Sequence, residues 1–121
     1  KRFVDKDYRF EAREKIVASS EGYSEAIWST FAEIGLLGLP FSPDAGGFGG
    51  GALDLMSVME VIGEALVVEP YLATVGVGAQ FVARAGTNGQ RQDLLPSVVS
   101  GKLKLAFAQT ENGARYNLAH V

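Results

Sequence analysis

The chain has no cysteine and a single histidine, His120, among its 121 residues. Without thiols there is no disulfide framework, thiolate nucleophile, zinc finger or cysteine-ligated iron–sulfur cluster. One histidine next to the last residue leaves neither a histidine-rich metal site nor a Ser-His-Asp triad to expect. The compartment stays open on these grounds, although a chain without disulfides suits the cytoplasm, which is the expectation carried forward. Long apolar runs are missing too. The longest uncharged stretch, Pro70 to Ala83, has fourteen residues, short of the ~20 that a spanning helix needs. No basic start is followed by an apolar block, so no signal peptide is read. The first residue is Lys1 rather than methionine, which reads as a processed chain or an internal piece. What is present, 47% apolar and 21% charged residues, is ordinary for one globular domain.

Basic residues are absent from the whole middle of the chain. Residues 1–15 carry six bases and four acids, residues 16–83 eight acids and no base, and residues 84–121 five bases and two acids. The resulting net charges of +2, −8 and +3 sum to the overall −3. An acidic middle of this size repels phosphate backbones, so nucleic acid is not an expected partner. Two readings remain for the acids: solvated helix faces, or a surface complementary to a basic partner.

Hydrophobic periodicity predicts five or six helices. Residues 1–18 read as an exposed helix broken near Asp7. Ser24 is a plausible N-cap for a helix whose inward face is Ile27, Phe31 and Ile34, with Trp28 beside them. Gly35, Gly38 and Pro40 end it. Residues 41–51, with five glycines in eleven positions, read as a loop. Leu55, Met56, Met59, Ile62 and Leu66 predict a helix over about 53–67, with both methionines in the core. Residues 71–85 are apolar almost all round, as in a buried helix. Thr87 and Gln90 have capping-box spacing for a short helix through Leu94, with Pro96 interrupting it or starting another. Leu103, Leu105 and Phe107 alternate with Lys104, Ala106 and Ala108, which predicts a strand over 103–109. A lone strand has no partner, so the expectation is a chain that enters a second, β-rich domain.

Single motifs carry little chemistry. Gly46-Gly47-Phe48-Gly49-Gly50-Gly51 precedes a helix, but it lacks the Gly-Lys-Ser/Thr ending and a preceding strand. It reads as a structural turn. Gly63 reads as a packing contact, and Glu60 and Glu64 as a solvated polar face rather than a metal or acid–base pair. The segment Leu105 to Ala114 ends a predicted strand in a hydroxyl, a carboxylate and a Gly-Ala turn. Such a turn exposes backbone N–H groups suited to a phosphate or a polar ring edge.

Four blocks, IGLLGLPFSPDAGGFGGGALDL, VMEVIGEAL, EPYLATVGVGAQFVARAG and LPSVVSGKLKLAFAQTENGA, together resemble the N-terminal region of acyl-CoA dehydrogenases over roughly residues 25–114. The resemblance implies an all-α, orthogonal or bundle-like domain over 1–102, followed at 103–121 by the first strand and turn of a middle β domain. It implies FAD as cofactor, an acyl-CoA thioester as substrate, and electron-transfer flavoprotein or a similar acceptor as partner. In that family a glutamate takes the α proton while the β hydrogen leaves as hydride to the flavin. By position, Phe107, Gln109 and Thr110 would lie at the flavin, and Gly113 and Ala114 near the cofactor's phosphates. Val75, Gly76 and Ala79 would border the acyl tail, and Tyr116 the substrate.

Three departures from the family's Thr-Glu-Pro-Gly-Ala-Gly-Ser-Asp run stand out. Asn112 replaces the proline, Arg115 the second glycine, and Tyr116-Asn117 the Ser-Asp pair. Ala-Arg-Tyr resembles the variant in members that act on dicarboxylyl or ring-bearing CoA esters, some of them built from two different subunits. The resemblance places the catalytic glutamate in a C-terminal bundle, so none of the fourteen acids here is the expected base. The chain alone is expected to be inactive, and the full-length protein a homo- or hetero-oligomer. The alternative is a non-catalytic helical interaction domain, or a non-catalytic subunit of a heteromeric dehydrogenase, that binds a partner through its acidic face.

Overall fold

The computed structural model describes residues 1–108, 111–115, 117 and 119–120. Its described residues form α1 (Arg2–Asp7), α2 (Phe10–Val17), α3 (Glu25–Glu33), α4 (Ala52–Glu64), α5 (Ala79–Ala85) and α6 (Asn88–Val99). Two 3-10 turns, Leu36–Gly38 and Pro43–Ala45, lie between α3 and α4, and a π-helical turn, Leu72–Gly78, leads into α5. The all-α class is as expected.

The local signals explain most boundaries. Ser24 Oγ accepts from the Ile27 N–H at 3.3 Å and starts α3. Thr87 and Gln90 form the reciprocal capping box of α6: Gln90 N–H donates to Thr87 Oγ1 at 3.3 Å, and Thr87 N–H to Gln90 Oε1 at 2.8 Å. The glycine loop is closed on itself. The N–H groups of Gly47, Phe48, Gly49 and Gly50 donate to the carbonyls of Ser42, Gly38, Phe41 and Leu39. None of these four is free to cradle a phosphate, so the turn is structural. Gly47 is needed for close approach, since a Cβ there would meet the Phe41 and Gly38 carbonyl oxygens.

The core is one cluster from several elements: Trp28, Phe31, Leu37, Phe41, Tyr71, Val75, Ala79, Leu95 and Val98 are all buried. Trp28 and Phe31 lie on α3, Leu95 and Val98 on α6, so helices far apart in sequence close on the same centre. At ~25 cal/mol per Å² of apolar surface, each large side chain buried here contributes about 1.5–3 kcal/mol.

Several expectations are corrected. Ile34 is the C-cap of α3 and is exposed. On α4, Leu55, Val58, Met59 and Ile62 pack on the core, whereas Met56 is exposed. The i, i+4, i+7 line through 55, 59 and 62 is the inward one, and position 56 lies about 100° from 55. The helix stops at Glu64 because Leu66 takes a left-handed φ of 53°. Its N–H donates to the Gly63 carbonyl and that of Val67 to Ile62, a Schellman-type closure. Gly63 is exposed, and a Cβ there would meet nothing within 4 Å among the described residues; it is not a packing contact. Pro96 does not interrupt α6, which runs through it to Val99. The capping box and the burial of Leu95 and Val98 on either side hold the helix despite the missing N–H.

Residues 103–108 form no strand among the described residues. A strand is defined by a partner's ladder, and this segment lies instead on helices: Leu103 N–H donates to the Ser97 carbonyl, and Leu105 pairs with the Thr74 hydroxyl. Gln109 of the predicted strand lies outside the described residues.

The N-terminal helices contain no buried residue. Phe3 of α1 sets its ring edge-on to Phe31 at 5.8 Å, and polar ties reach the end of α4 and the strip after it. Lys1 Nζ pairs with Glu64 at 2.7 Å, Arg13 Nε donates to the Leu66 carbonyl at 2.9 Å, and the Tyr8 hydroxyl accepts from Val68 N–H at 3.0 Å. The next residue, Glu69, is buried and accepts from the Ser24 N–H at 3.2 Å, while its second carboxylate oxygen has no partner among the described residues.

Candidate functional site

The expected acyl-tail residues lie on one helical run, and the structure sorts them onto different sides. Tyr71, Val75 and Ala79 are fully buried in the domain's own core. Leu72, Val77 and Phe81 face out and are exposed, with Ala73 beside them. The run is thus not buried all round, as its composition implied. A π turn bonds i to i+5 rather than i+4 and widens the helix locally. Sequence periodicity at 3.6 does not register such a turn.

Gly76 lies on a third side. With Gln80 and Arg84 it borders a cavity of about 310 Å³, closed opposite by Pro40, Gly50, Gly51, Ala52 and Leu55. Arg84 Nε donates to Gln80 Oε1 at 3.3 Å across that wall. At Gly76 the run also packs closely on its own preceding turn. A Cβ there would come within 2.9 Å of Leu72 Cδ1.

Of the expected flavin residues, Phe107 is exposed and packs on Phe81, with ring centroids 5.1 Å apart and planes tilted by 36°. Two aromatic rings left facing out at the edge of an apolar helix face form a surface ready to be covered. Gly113 has φ +85° and a Cβ built on it would meet nothing within 4 Å among the described residues. Bare backbone of this kind admits a phosphate-bearing group close to the chain. Ala114 is buried and its N–H donates to the Glu111 carbonyl at 3.1 Å. The described flavin candidates are thus an exposed ring, an open glycine and a buried alanine. Gln109, Thr110 and Tyr116 lie outside the described residues.

No group of three or more His, Asp or Glu side chains suited to a metal occurs among the described residues. Glu60 and Glu64 are exposed, as the solvated-face reading holds. Two acids of the middle segment pair with the basic flanks of the same chain, Glu64 with Lys1 and Glu25 with Lys104. Glu25 is held below the usual carboxylate range by the Lys104 ammonium and the Tyr23 hydroxyl. Partial burial pushes the Lys104 ammonium down, but the bonds to Glu25 and Tyr23 outweigh it and hold it above the ordinary lysine value. Thr74, a buried hydroxyl bonded twice to Leu105, escaped the sequence reading. A threonine within an apolar run gives no signal of its partner.

The geometry defines an all-α domain with one buried core and one outward apolar face. A sequence profile described as the acyl-CoA dehydrogenase N-terminal domain matches residues 1–102. The acyl-CoA dehydrogenase FadE12 of Mycobacterium tuberculosis H37Rv is 30% identical over 103 residues, 83% of this chain and 26% of that one. Subunit CarC of the caffeyl-CoA reductase-Etf complex of Acetobacterium woodii is 29% identical over 114 residues, 93% of this chain and 30% of its own. Among solved structures, a variant of the steroid ACAD Tcur3481-Tcur3483 superposes with a TM-score of 0.84 at 31% identity, covering 93% of this chain and 30% of that one. The ChsE4-ChsE5 complex of M. tuberculosis superposes with a TM-score of 0.80 at 27% identity, covering 87% of this chain and 29% of that chain. This chain belongs to the acyl-CoA dehydrogenase family and corresponds to its N-terminal domain. It spans under a third of the length of these relatives. No helix among the described residues is long and apolar enough to cross a membrane.

Proposed function

We propose that the chain is the N-terminal share of an FAD-dependent, cytoplasmic acyl-CoA dehydrogenase that oxidises an acyl-CoA thioester between its α and β carbons. The family match over residues 1–102 carries this reading. The outward face of Leu72, Val77, Phe81 and Phe107 supports it, because exposed apolar side chains grouped on one face mark a surface that functions covered. FAD, held in part by Phe107, Gln109, Thr110, Gly113 and Ala114, supplies the two-electron acceptor chemistry when bound. The chain's own residues bind and exclude water. The ring pair and Gly113 receive the cofactor, Gly76 with Gln80 and Arg84 borders the cavity that takes the far end of the substrate, and Tyr116 borders the thioester end. Val75 and Ala79 act from behind, as the core that holds this run in place. The proton is taken by a glutamate outside these residues, and the electrons pass on to electron-transfer flavoprotein or a similar acceptor.

A second reading has a specific support. The relatives include proteins named as a ChsE4-ChsE5 complex and as one subunit of a caffeyl-CoA reductase-Etf complex, and Arg115-Tyr116 departs from the family run. In that reading the chain is part of one subunit of a heteromer, acting on a bulky ring-bearing CoA ester and binding its different partner subunit through the acidic middle segment.

The test is to express the longest polypeptide encoded in frame with these residues, alone and with any adjacent homologue. Flavin absorbance in the purified protein, bleached by a saturated acyl-CoA, is expected. Bleaching by the lone polypeptide favours the first reading, and bleaching only of the co-expressed pair favours the second. A colourless protein that takes up no FAD in either form refutes both.

A further inference from the structure

The buried hydroxyl of Thr74 serves neither the core nor the cavity. Thr74 lies within the π-helical turn and is fully buried. Its Oγ1 accepts from the Leu105 N–H at 3.1 Å and donates to the Leu105 carbonyl at 3.2 Å. One side chain thus satisfies both backbone groups of one residue, as a neighbouring strand would. Close approach is possible because position 78 is glycine; a Cβ there would come within 2.8 Å of Leu105 Cβ.

The preceding residue is held by a second, more exposed set of contacts. Lys104 Nζ lies 2.9 and 3.0 Å from the two Glu25 oxygens, 5.0 Å over the Tyr23 ring and 5.5 Å from the Trp28 ring. The Tyr23 hydroxyl donates to Glu25 Oε2 at 2.9 Å and closes the cage. Trp28 Nε1 donates to the Gly101 carbonyl at 3.0 Å, just upstream. Beyond Leu105 the chain becomes exposed at Ala106, Phe107 and Ala108. The anchors therefore end where the exposed segment begins.

We propose that Thr74 and Lys104 form a two-point clamp that sets the register of residues 103–108 on the helical domain and so fixes where Phe107 and the residues after it are presented. They are positioning residues, acting through the backbone of 104–105 rather than touching a ligand. Register is the quantity at stake because successive side chains of an extended segment point to opposite sides. A slip of one residue turns Phe107 away from Phe81 and puts alanine in its place. The clamp rests on this geometry alone; its consequence for flavin rests on the function proposed above.

The test compares Thr74→Val, which keeps shape and removes both bonds, with Thr74→Ser, which keeps the hydroxyl. In the 121-residue chain, the Leu105 amide is expected to exchange roughly tenfold faster in Thr74→Val. It should stay within about twofold of the parent in Thr74→Ser, while the core amide of Trp28 is unmoved in both. In the in-frame longer polypeptide, the flavin-to-protein ratio after gel filtration and the flavin absorbance maximum should change in Thr74→Val and return in Thr74→Ser. Unchanged Leu105 exchange overturns the clamp. Faster Leu105 exchange with unaltered flavin ratio and spectrum overturns the positioning role. Should Thr74→Val unfold, Lys104→Met against Lys104→Arg poses the same question with the same two readouts. A parent polypeptide that binds no flavin refutes the proposed function and the cofactor part of the clamp's role, while Leu105 exchange still decides the register.

Discussion

The helices α1–α2 and the assembly of α3, α5 and α6 hold their places by different balances of apolar burial and polar ties. The latter meet at a shared apolar centre, with Trp28, Tyr71, Val75, Ala79 and Val98 fully buried. The former bury nothing within their helices. Tyr8, between them, is their one buried side chain; Phe3 of α1, half-buried, sets its ring edge-on to Phe31 at 5.8 Å, and the rest is a set of polar ties to residues 64–69. Burial is cooperative and insensitive to salt, whereas exposed ties are individually weak and screened. The N-terminal pair, with one buried and one half-buried ring, should therefore loosen before the shared core does.

Four substitutions, one of them a control, and one change of pH bear on that contrast, beginning with the largest. Trp28→Ala empties the centre and orphans the Gly101 carbonyl, and should lower stability by about 3–5 kcal/mol in urea titration. Loss confined to one region would contradict a single cooperative core. Tyr8→Phe leaves the Val68 N–H without its acceptor and should cost about 1–3 kcal/mol. Amide exchange is expected to quicken in residues 2–17 and not at Val98; equal quickening at both would erase the contrast.

Alkaline pH makes the same comparison without mutation. Burial pushes the Tyr8 hydroxyl up to about 12, with the Val68 bond opposing and the Glu69 carboxylate adding to the shift, and burial alone pushes Tyr71 up to about 12. A raised folded value means the neutral form is favoured in the native state. The stabilisation is full below the unfolded value of about 10 and is lost as pH rises through about 12. Stability should fall between those pH values, and Tyr8→Phe should remove part of the fall. A flat profile across that window would refute the burial of both rings.

Gly63→Ala should raise stability by about 0.5–1 kcal/mol, since the site is helical, exposed and open, and alanine restricts the unfolded chain. It stiffens the α4 platform without favouring either region. Lys1→Ala should leave the denaturation midpoint where it is, because both partners of the Lys1–Glu64 pair are largely exposed. A clear shift would show that this tie, rather than Tyr8, holds the N-terminal pair.

What could be read in the sequence was what depends on near neighbours. Ser24 and the Thr87–Gln90 pair act through N–H groups three residues away. The break near Asp7 matches the two short helices α1 and α2. The glycine-rich turn follows from backbone entropy. Met56 and Met59 were not separable, because a stripe of apolar residues does not say which edge of it meets the core. Pro96 was misjudged because local propensity costs a few kcal/mol that packing of Leu95 and Val98 overrides. For the candidate site, the four blocks single out a chain segment but do not say which of its side chains face out. Phe107 proved exposed, while Val75 and Ala79 proved to be core.

By itself, then, the order of residues determined a helical domain with its caps, its turns and the stretch that carries its outward face. Only the tertiary structure decided which side of residues 71–85 is that face, because the π turn shifts the helical phase relative to a regular 3.6 repeat. It also decided that Thr74, 31 positions before Leu105, stands in for a strand. Contacts across such separations are set by how the helices pack, and no local pattern encodes them.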